Sequence, residues 1–220
     1  MIKLIIYDLD GTLIDSSKDI SDSINWTLEQ LGFSPLPEPL IRGHVGSGVV
    51  RLIENVLNEV SPGYLSQDGI VDKALELYRS RYSEHLLDAT RLYPHVPDVL
   101  DFFKARKQAV LTNKTEEFSR RILEGLGVDQ YFFDVIGGDR SVAKKPSPDS
   151  VLKLIKSAGV NRTETVLIGD STIDIKTAKN AQIRSVAVTH GFNSRHDIEA
   201  GKPDYIVDQL NELMRCDLMR

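Results

Sequence analysis

The chain has 220 residues, 41% of them apolar and 27% charged, with a formal net charge of -5. That length and apolar content allow a sizeable core in one large domain, or in one domain carrying an insertion, and the acidic balance argues against a nucleic-acid surface, which needs clustered Lys and Arg. The single cysteine, Cys216, excludes an intramolecular disulfide and fits a reducing cytoplasm, and the apolar run Leu4 to Tyr7 is too short for a signal-peptide core or a membrane span, so neither export nor a membrane partner is expected.

Leu4-Ile5-Ile6-Tyr7 reads as a strand that breaks at Asp8-Leu9-Asp10-Gly11-Thr12. Residues i and i+2 of a strand share a face, so a continued strand would crowd two carboxylates at one edge, and Gly11 lets the backbone turn there instead. Two ionised carboxylates about 4 Å apart repel by roughly 4 kcal/mol at an effective dielectric of ~20, so a cation or a retained proton is expected beside them. From residue 16 to 86 the pattern is helical, with Ile20, Ile24, Leu28 and Leu31, then Val49, Leu52, Ile53, Val56 and Leu57, then Ile70, Val71, Ala74, Leu75, Tyr78 and Tyr82 at helical spacing. Ser34 to Pro39 reads as a stiff connection, and Arg42 to Arg51 as a glycine-containing loop ahead of a helix that begins after Gly48.

After Pro94, short apolar runs alternate with helical segments. Helices are expected over 96–106, 116–125, 148–158 and 174–181, strands over 109–111, 134–136, 166–168, 186–188 and 205–207, and a closing helix from Leu210. Such alternation predicts a parallel sheet covered on both faces, which the first strand must join because it is too short to stand alone. The expected fold class is therefore α/β, a Rossmann-like doubly wound parallel sheet over residues 1–15 and 87–220 with an all-helical domain inserted at 16–86.

Ligands of an open parallel sheet bind at the carboxyl ends of its strands. There the sequence offers Asp8 and Asp10 after the first strand, then Thr112-Asn113-Lys114, Lys144-Lys145-Pro146 and Gly169-Asp170-Ser171-Thr172-Ile173-Asp174. Each has a plainer reading: Asp-Gly as a turn, Thr112-Asn113 as a helix cap, the lysines as a solvated loop, and Asp170 with Asp174 as an acidic first turn of a helix.

Taken together, their order and positions resemble the four motifs of the haloacid dehalogenase superfamily: DLDGTLIDS at the start, then a Thr, then Lys-Pro, then GDSTID. The resemblance covers nearly the whole chain and implies roles. Asp8 is the nucleophile that becomes an aspartyl phosphate, and Asp10 the general acid and then base. Thr112 and Lys145 bind the transferring phosphoryl oxygens, assisted by Asn113. Asp8, the backbone carbonyl of Asp10 and Asp170 hold Mg²⁺, with Asp174 orienting the metal site from outside. Asp10 favours phosphoester over dehalogenase chemistry, and the absence of lysine from residues 19 to 72 sets aside a phosphonate-cleaving branch that needs one there.

The position of the insertion, together with Thr189-His190-Gly191-Phe192-Asn193 and Lys202-Pro203-Asp204, resembles the phosphoglycolate phosphatase-like subfamily. His95 departs from it, standing where relatives usually have glycine. The subfamily's helical cap closes over the site and excludes water, and Arg42, His44, Gly46 and Arg51 are the corresponding substrate-binding candidates. The expected function is Mg²⁺-dependent hydrolysis of a small phosphorylated metabolite, foremost 2-phosphoglycolate, by a cytoplasmic monomer or homodimer. The alternatives are pyrophosphate hydrolysis, a β-phosphoglucomutase-like phosphotransfer, and a non-catalytic phosphate-binding or phospho-signalling protein. A receiver-like signalling domain would usually lack both Asp10 and the large helical insertion.

Overall fold

The computed structural model describes residues 1–63, 69–140 and 143–219. The chain folds as two compact units, Met1–Asp15 with Leu92–Arg220, and Ser16–Arg91.

The first unit is built on a six-stranded parallel sheet. Its strands are β1 (Leu4–Tyr7), β4 (Lys107–Leu111), β5 (Asp134–Ile136), β6 (Thr165–Gly169), β7 (Arg184–Val188) and β8 (Tyr205–Val207), in the spatial order β5-β4-β1-β6-β7-β8. Two short strands, β2 (Ile14–Asp15) and β3 (Arg91–Leu92), form a separate two-stranded sheet. The central strands are buried on both faces, which is why they read as unbroken apolar runs rather than alternating ones. One face packs Leu4, Ile6, Ala109, Leu111 and Leu167 against Val151, Leu154 and Ile155 of α7 (Asp149–Ala158) and Ala178 of α8 (Thr172–Ala181).

The chain leaves β1 for β4 and β5 on one side and returns to β6, β7 and β8 on the other, so the topological switch lies at β1. Tyr7 is in register with Val110 on β4 and with Ile168 on β6. The residues that follow these three strands, Asp8, Thr112 and Asp170, are thereby gathered at one end of the sheet, where such folds bind ligands.

The second unit is helical: α1 (Ser17–Gln30), α2 (Glu38–Gly43), α3 (Val49–Val60) and α4 (Ile70–Glu84). Ile20, Ile24 and Leu28 of α1 are buried, as are Ala74, Leu75, Tyr78 and Tyr82 of α4, and Arg81 lies 5.8 Å from the centre of the Trp26 ring. The carboxylate of Asp19, 2% exposed, is satisfied by the N–H groups of Ala89 and Thr90 and by the Thr90 hydroxyl; a buried charge needs such donors.

Several boundaries differ from the sequence reading. Arg42 and Gly43 belong to α2 rather than to a loop; a proline in its first turn and the buried Ile41 fix this short helix. The helix expected over 96–106 is α5 (Val96–Phe102), because the chain must turn to enter β4 at Lys107, and the N–H of Arg106 closes that turn on the carbonyl of Phe103. A further helix, α9 (Arg195–Gly201), was not expected; Ser194 caps it by accepting the Asp197 N–H. The closing segment forms two 3₁₀ turns, Leu210–Arg215 and Asp217–Met219, instead of an α-helix. The expected 116–125 helix is α6 (Glu116–Gly125), with the bounds read from sequence.

Candidate active site

The chain beyond β1 winds on one carbonyl. Leu9 O accepts the N–H groups of Thr12, Leu13 and Ile14, and Gly11 N–H returns to Ile14 O. Gly11 has φ +84, and a Cβ there would lie 2.2 Å from Asp170 Oδ2, so both the turn and the close approach require glycine.

This turn separates the two aspartates onto different cations. Asp8 Oδ1 accepts the Leu9 N–H at 2.7 Å and stands 2.7 Å from Lys145 Nζ, whereas Asp10 Oδ1 pairs with Lys114 Nζ at 2.9 Å. The sequence called for a cation or a proton beside the pair; the structure supplies two lysines. Lys114 received no role in the sequence reading, although it follows Thr112 and Asn113 directly in the loop after β4. The side-by-side placement of β4 and β1 brings it to Asp10.

Lys145 is shared. Its ammonium also lies 2.6 Å from Asp174 Oδ1. Asp174 is held by a capping box at the start of α8, where Ser171 and Asp174 bond reciprocally through side chain and backbone. Its carboxylate thus stands within the acidic cluster, beside Asp8 and Asp170. Asn113 is tied to the same lysine. Its Oδ1 accepts the Lys145 N–H at 2.9 Å and its Nδ2 donates to the Lys145 carbonyl at 3.2 Å, so this buried amide clamps the lysine's backbone. Thr112, 3% exposed, accepts the Lys114 N–H on its hydroxyl at 3.2 Å.

Asp170 follows β6 directly. Its Oδ2 accepts the Phe192 N–H at 2.6 Å, and its Oδ1 accepts the Thr12 hydroxyl at 3.4 Å. Among the described residues, Asp8, Asp170 and Asp174 form a group of carboxylates, all buried, whose ligand atoms lie within 4.8 Å of one another. The carboxylate of Asp10 is outside this group, on Lys114.

The electrostatics follow from crowding. Burial raises the Asp170 carboxyl to about 7, and the charge of Asp174 adds to the effect against the Phe192 N–H and Lys145. Asp8 is raised well above the usual carboxylate range by burial first and by Asp174 next, with Lys145 opposing. Burial pulls the Lys145 ammonium down, but Asp174 and Asp8 outweigh it and hold it above the ordinary lysine value. With all three carboxylates ionised, the one ammonium among them leaves an excess of two negative charges. Hard oxygen donors with that residual charge fit a small divalent cation.

The remaining candidates, Arg42, His44, Gly46 and Arg51, lie in the helical unit. Arg51 is exposed and pairs with Glu54 one turn along α3 at 2.8 Å, and His44 Nε2 lies 3.3 Å from Glu59. None of the described helices is long and apolar enough to cross a membrane.

Residues 5–188 match the family model of haloacid dehalogenase-like hydrolases. The chain is 36% identical over 217 residues to a phosphoglycolate phosphatase of Vibrio parahaemolyticus, covering 97% of this chain and 95% of that protein. It is 33% identical over 221 residues to phosphoglycolate phosphatase 1 of Pseudomonas aeruginosa, covering 97% and 79%. Among solved structures, a predicted phosphoglycolate phosphatase from Haemophilus somnus superposes with a TM-score of 0.92 at 29% identity over 97% of both chains. The sheet order, the lysine-bridged carboxylates after β1 and at the start of α8, and this likeness along nearly the full length agree: the chain belongs to the haloacid dehalogenase-like hydrolases and is a phosphoric monoester hydrolase.

Proposed function

We propose that this phosphatase is a Mg²⁺-dependent hydrolase of 2-phosphoglycolate that works through an aspartyl phosphate on Asp8. The observation that carries the reading is the position of Asp8 at the topological switch, fixed by Lys145 in a cluster that, with its carboxylates ionised, is two positive charges short of neutrality. The substrate is drawn from the names of relatives 33–36% identical over nearly the whole chain.

In the first half-reaction the Asp8 carboxylate attacks phosphorus, the bond from phosphorus to the ester oxygen breaks, and Asp10 gives that oxygen a proton. In the second, Asp10 takes a proton from water, which attacks the same phosphorus; the bond to Asp8 breaks and inorganic phosphate leaves. Lys114 sits where it orients Asp10. Lys145 and Thr112 attract the phosphoryl oxygens, and Lys145 lowers the repulsion between the anionic substrate and Asp8. Asp8, Asp170 and Asp174, with the backbone carbonyl of Asp10, would hold Mg²⁺, which when bound neutralises charge on the carboxylates and on the phosphoryl group. Arg42, His44, Gly46 and Arg51 are the residues we assign to substrate selection in the helical unit, and the reaction is placed in the cytoplasm.

The test is a panel of 2-phosphoglycolate, pyrophosphate, hexose phosphates and nucleotides, assayed with Mg²⁺ and with chelator. The expected result is the highest kcat/KM on 2-phosphoglycolate and loss of turnover in chelator; pyrophosphate or a sugar phosphate ranking higher would sink the substrate assignment. In the same panel, Arg42→Ala should raise KM for the favoured substrate with little change in kcat, and an unchanged KM removes Arg42 from the assignment. Rapid-quench trapping with ³²P-labelled substrate should place label on the protein, and Asp8→Asn should abolish both label and turnover; turnover by that variant would refute the nucleophile.

A further inference from the structure

Asp170 is gripped by two segments far apart in the chain. One is the turn after β1, where Thr12 Oγ1 meets Asp170 Oδ1 and Gly11 leaves no space for a Cβ. The other is Gly191-Phe192, where the Phe192 N–H donates to Asp170 Oδ2 and a Cβ on Gly191 would fall 2.3 Å from Asp170 Oδ2 and 2.4 Å from Gly11 O. The two segments therefore touch each other as well as the carboxylate.

His190 fastens them together. Its Nε2 lies 3.2 Å from the Thr12 carbonyl oxygen, its Nδ1 lies 3.2 Å from the Asp208 carbonyl oxygen, and its ring packs 4.3 Å from the Tyr93 ring at a tilt of 43°. A carbonyl oxygen only accepts, and a neutral imidazole carries one N–H, so the tautomer protonated at Nε2 is the one that donates to the Thr12 carbonyl. The residue next to Gly191 is thus tied to the backbone of the residue whose hydroxyl meets Asp170. We infer that His190 is a positioning residue that locks the two backbone segments around Asp170 and so sets the affinity of the acidic cluster for a divalent cation. This rests on the reading that Asp8, Asp170 and Asp174 hold Mg²⁺.

Loss of a group that orients a metal ligand typically weakens metal binding about 10- to 100-fold. The test is calorimetric titration of Mg²⁺ into the parent protein, His190→Phe and His190→Gln, with thermal melting of each in chelator. Phe keeps a ring for Tyr93 and has no donor; Gln keeps a donor and loses the ring. The expected Kd for Mg²⁺ rises about tenfold or more in His190→Phe and recovers in part in His190→Gln. A packing role alone would lower the melting temperature in chelator without moving Kd, and Kd values for both variants within about threefold of the parent overturn the inference. If His190→Phe does not fold, His190→Leu, which also lacks a donor, takes its place and is judged by the same threefold margin. A parent that binds no Mg²⁺ overturns the metal reading, and the inference falls with it.

Discussion

Lys145 stands between Asp8 and Asp174 with its side chain only 2% exposed. Removing one partner of a buried ion pair leaves uncompensated charge and typically costs about 3–5 kcal/mol. Lys145→Met should therefore lower unfolding free energy in chelator by about 3 kcal/mol, read from urea titrations, and lower kcat/KM on the order of 10²- to 10³-fold through loss of phosphoryl stabilisation. Urea midpoints that coincide with the parent's would show that the two carboxylates tolerate each other without the lysine. The residues of this cluster were legible because each follows an apolar run predicted to end at the same edge of the sheet. Lys114 was not, although it stood in plain view: a lysine in a loop is ordinarily solvated, and only the pairing of β4 with β1 shows that it reaches Asp10. The clamp that Asn113 makes on the Lys145 backbone was hidden for a related reason, since its bonds join residues 32 positions apart.

The turn after β1 is the element on which the cluster depends. Gly11→Ala would put a methyl group where Asp170 Oδ2 now lies and would force a residue with a Cβ into φ +84. Left-handed backbone strain of this kind costs on the order of 1–3 kcal/mol, and displacing Asp170 adds loss of metal affinity to it. The expected outcome is a lower melting temperature together with a higher Mg²⁺ concentration for half-maximal activity; a variant that shifts only the melting temperature would mean that Asp170 moves aside without consequence for the ion. At this scale the sequence was informative in proportion to burial. Strands covered on both faces and helices with a long apolar stripe, such as α3 and α6, announced themselves. α9, with Ile198 as its only buried residue, left no periodic trace, and its signal was the Ser194 to Asp197 cap. The closing segment has Leu210 and Leu213 buried three apart, a spacing that fits a 3₁₀ turn as well as an α-helix.

At the scale of the whole molecule, the acidic cluster makes stability depend on pH and on the ion together. Asp170 moves from an ordinary 3.8 to about 7 on folding, and Asp8 is raised as well. Between those two values the native state binds more protons than the unfolded chain, so the slope of unfolding free energy against pH is negative. In chelator the protein should lose stability as pH rises from about 4 to about 7, the reverse of the usual salt-bridged carboxylate. Mg²⁺ should remove this loss, because a dication favours the ionised form of the same carboxylates and binds only the folded cluster. Melting temperatures measured from pH 5 to pH 8 should therefore show a gap between Mg²⁺ and chelator that widens with pH, and a gap of constant size across that range would mean that the burial of these carboxylates does not carry the charge imbalance assigned to them.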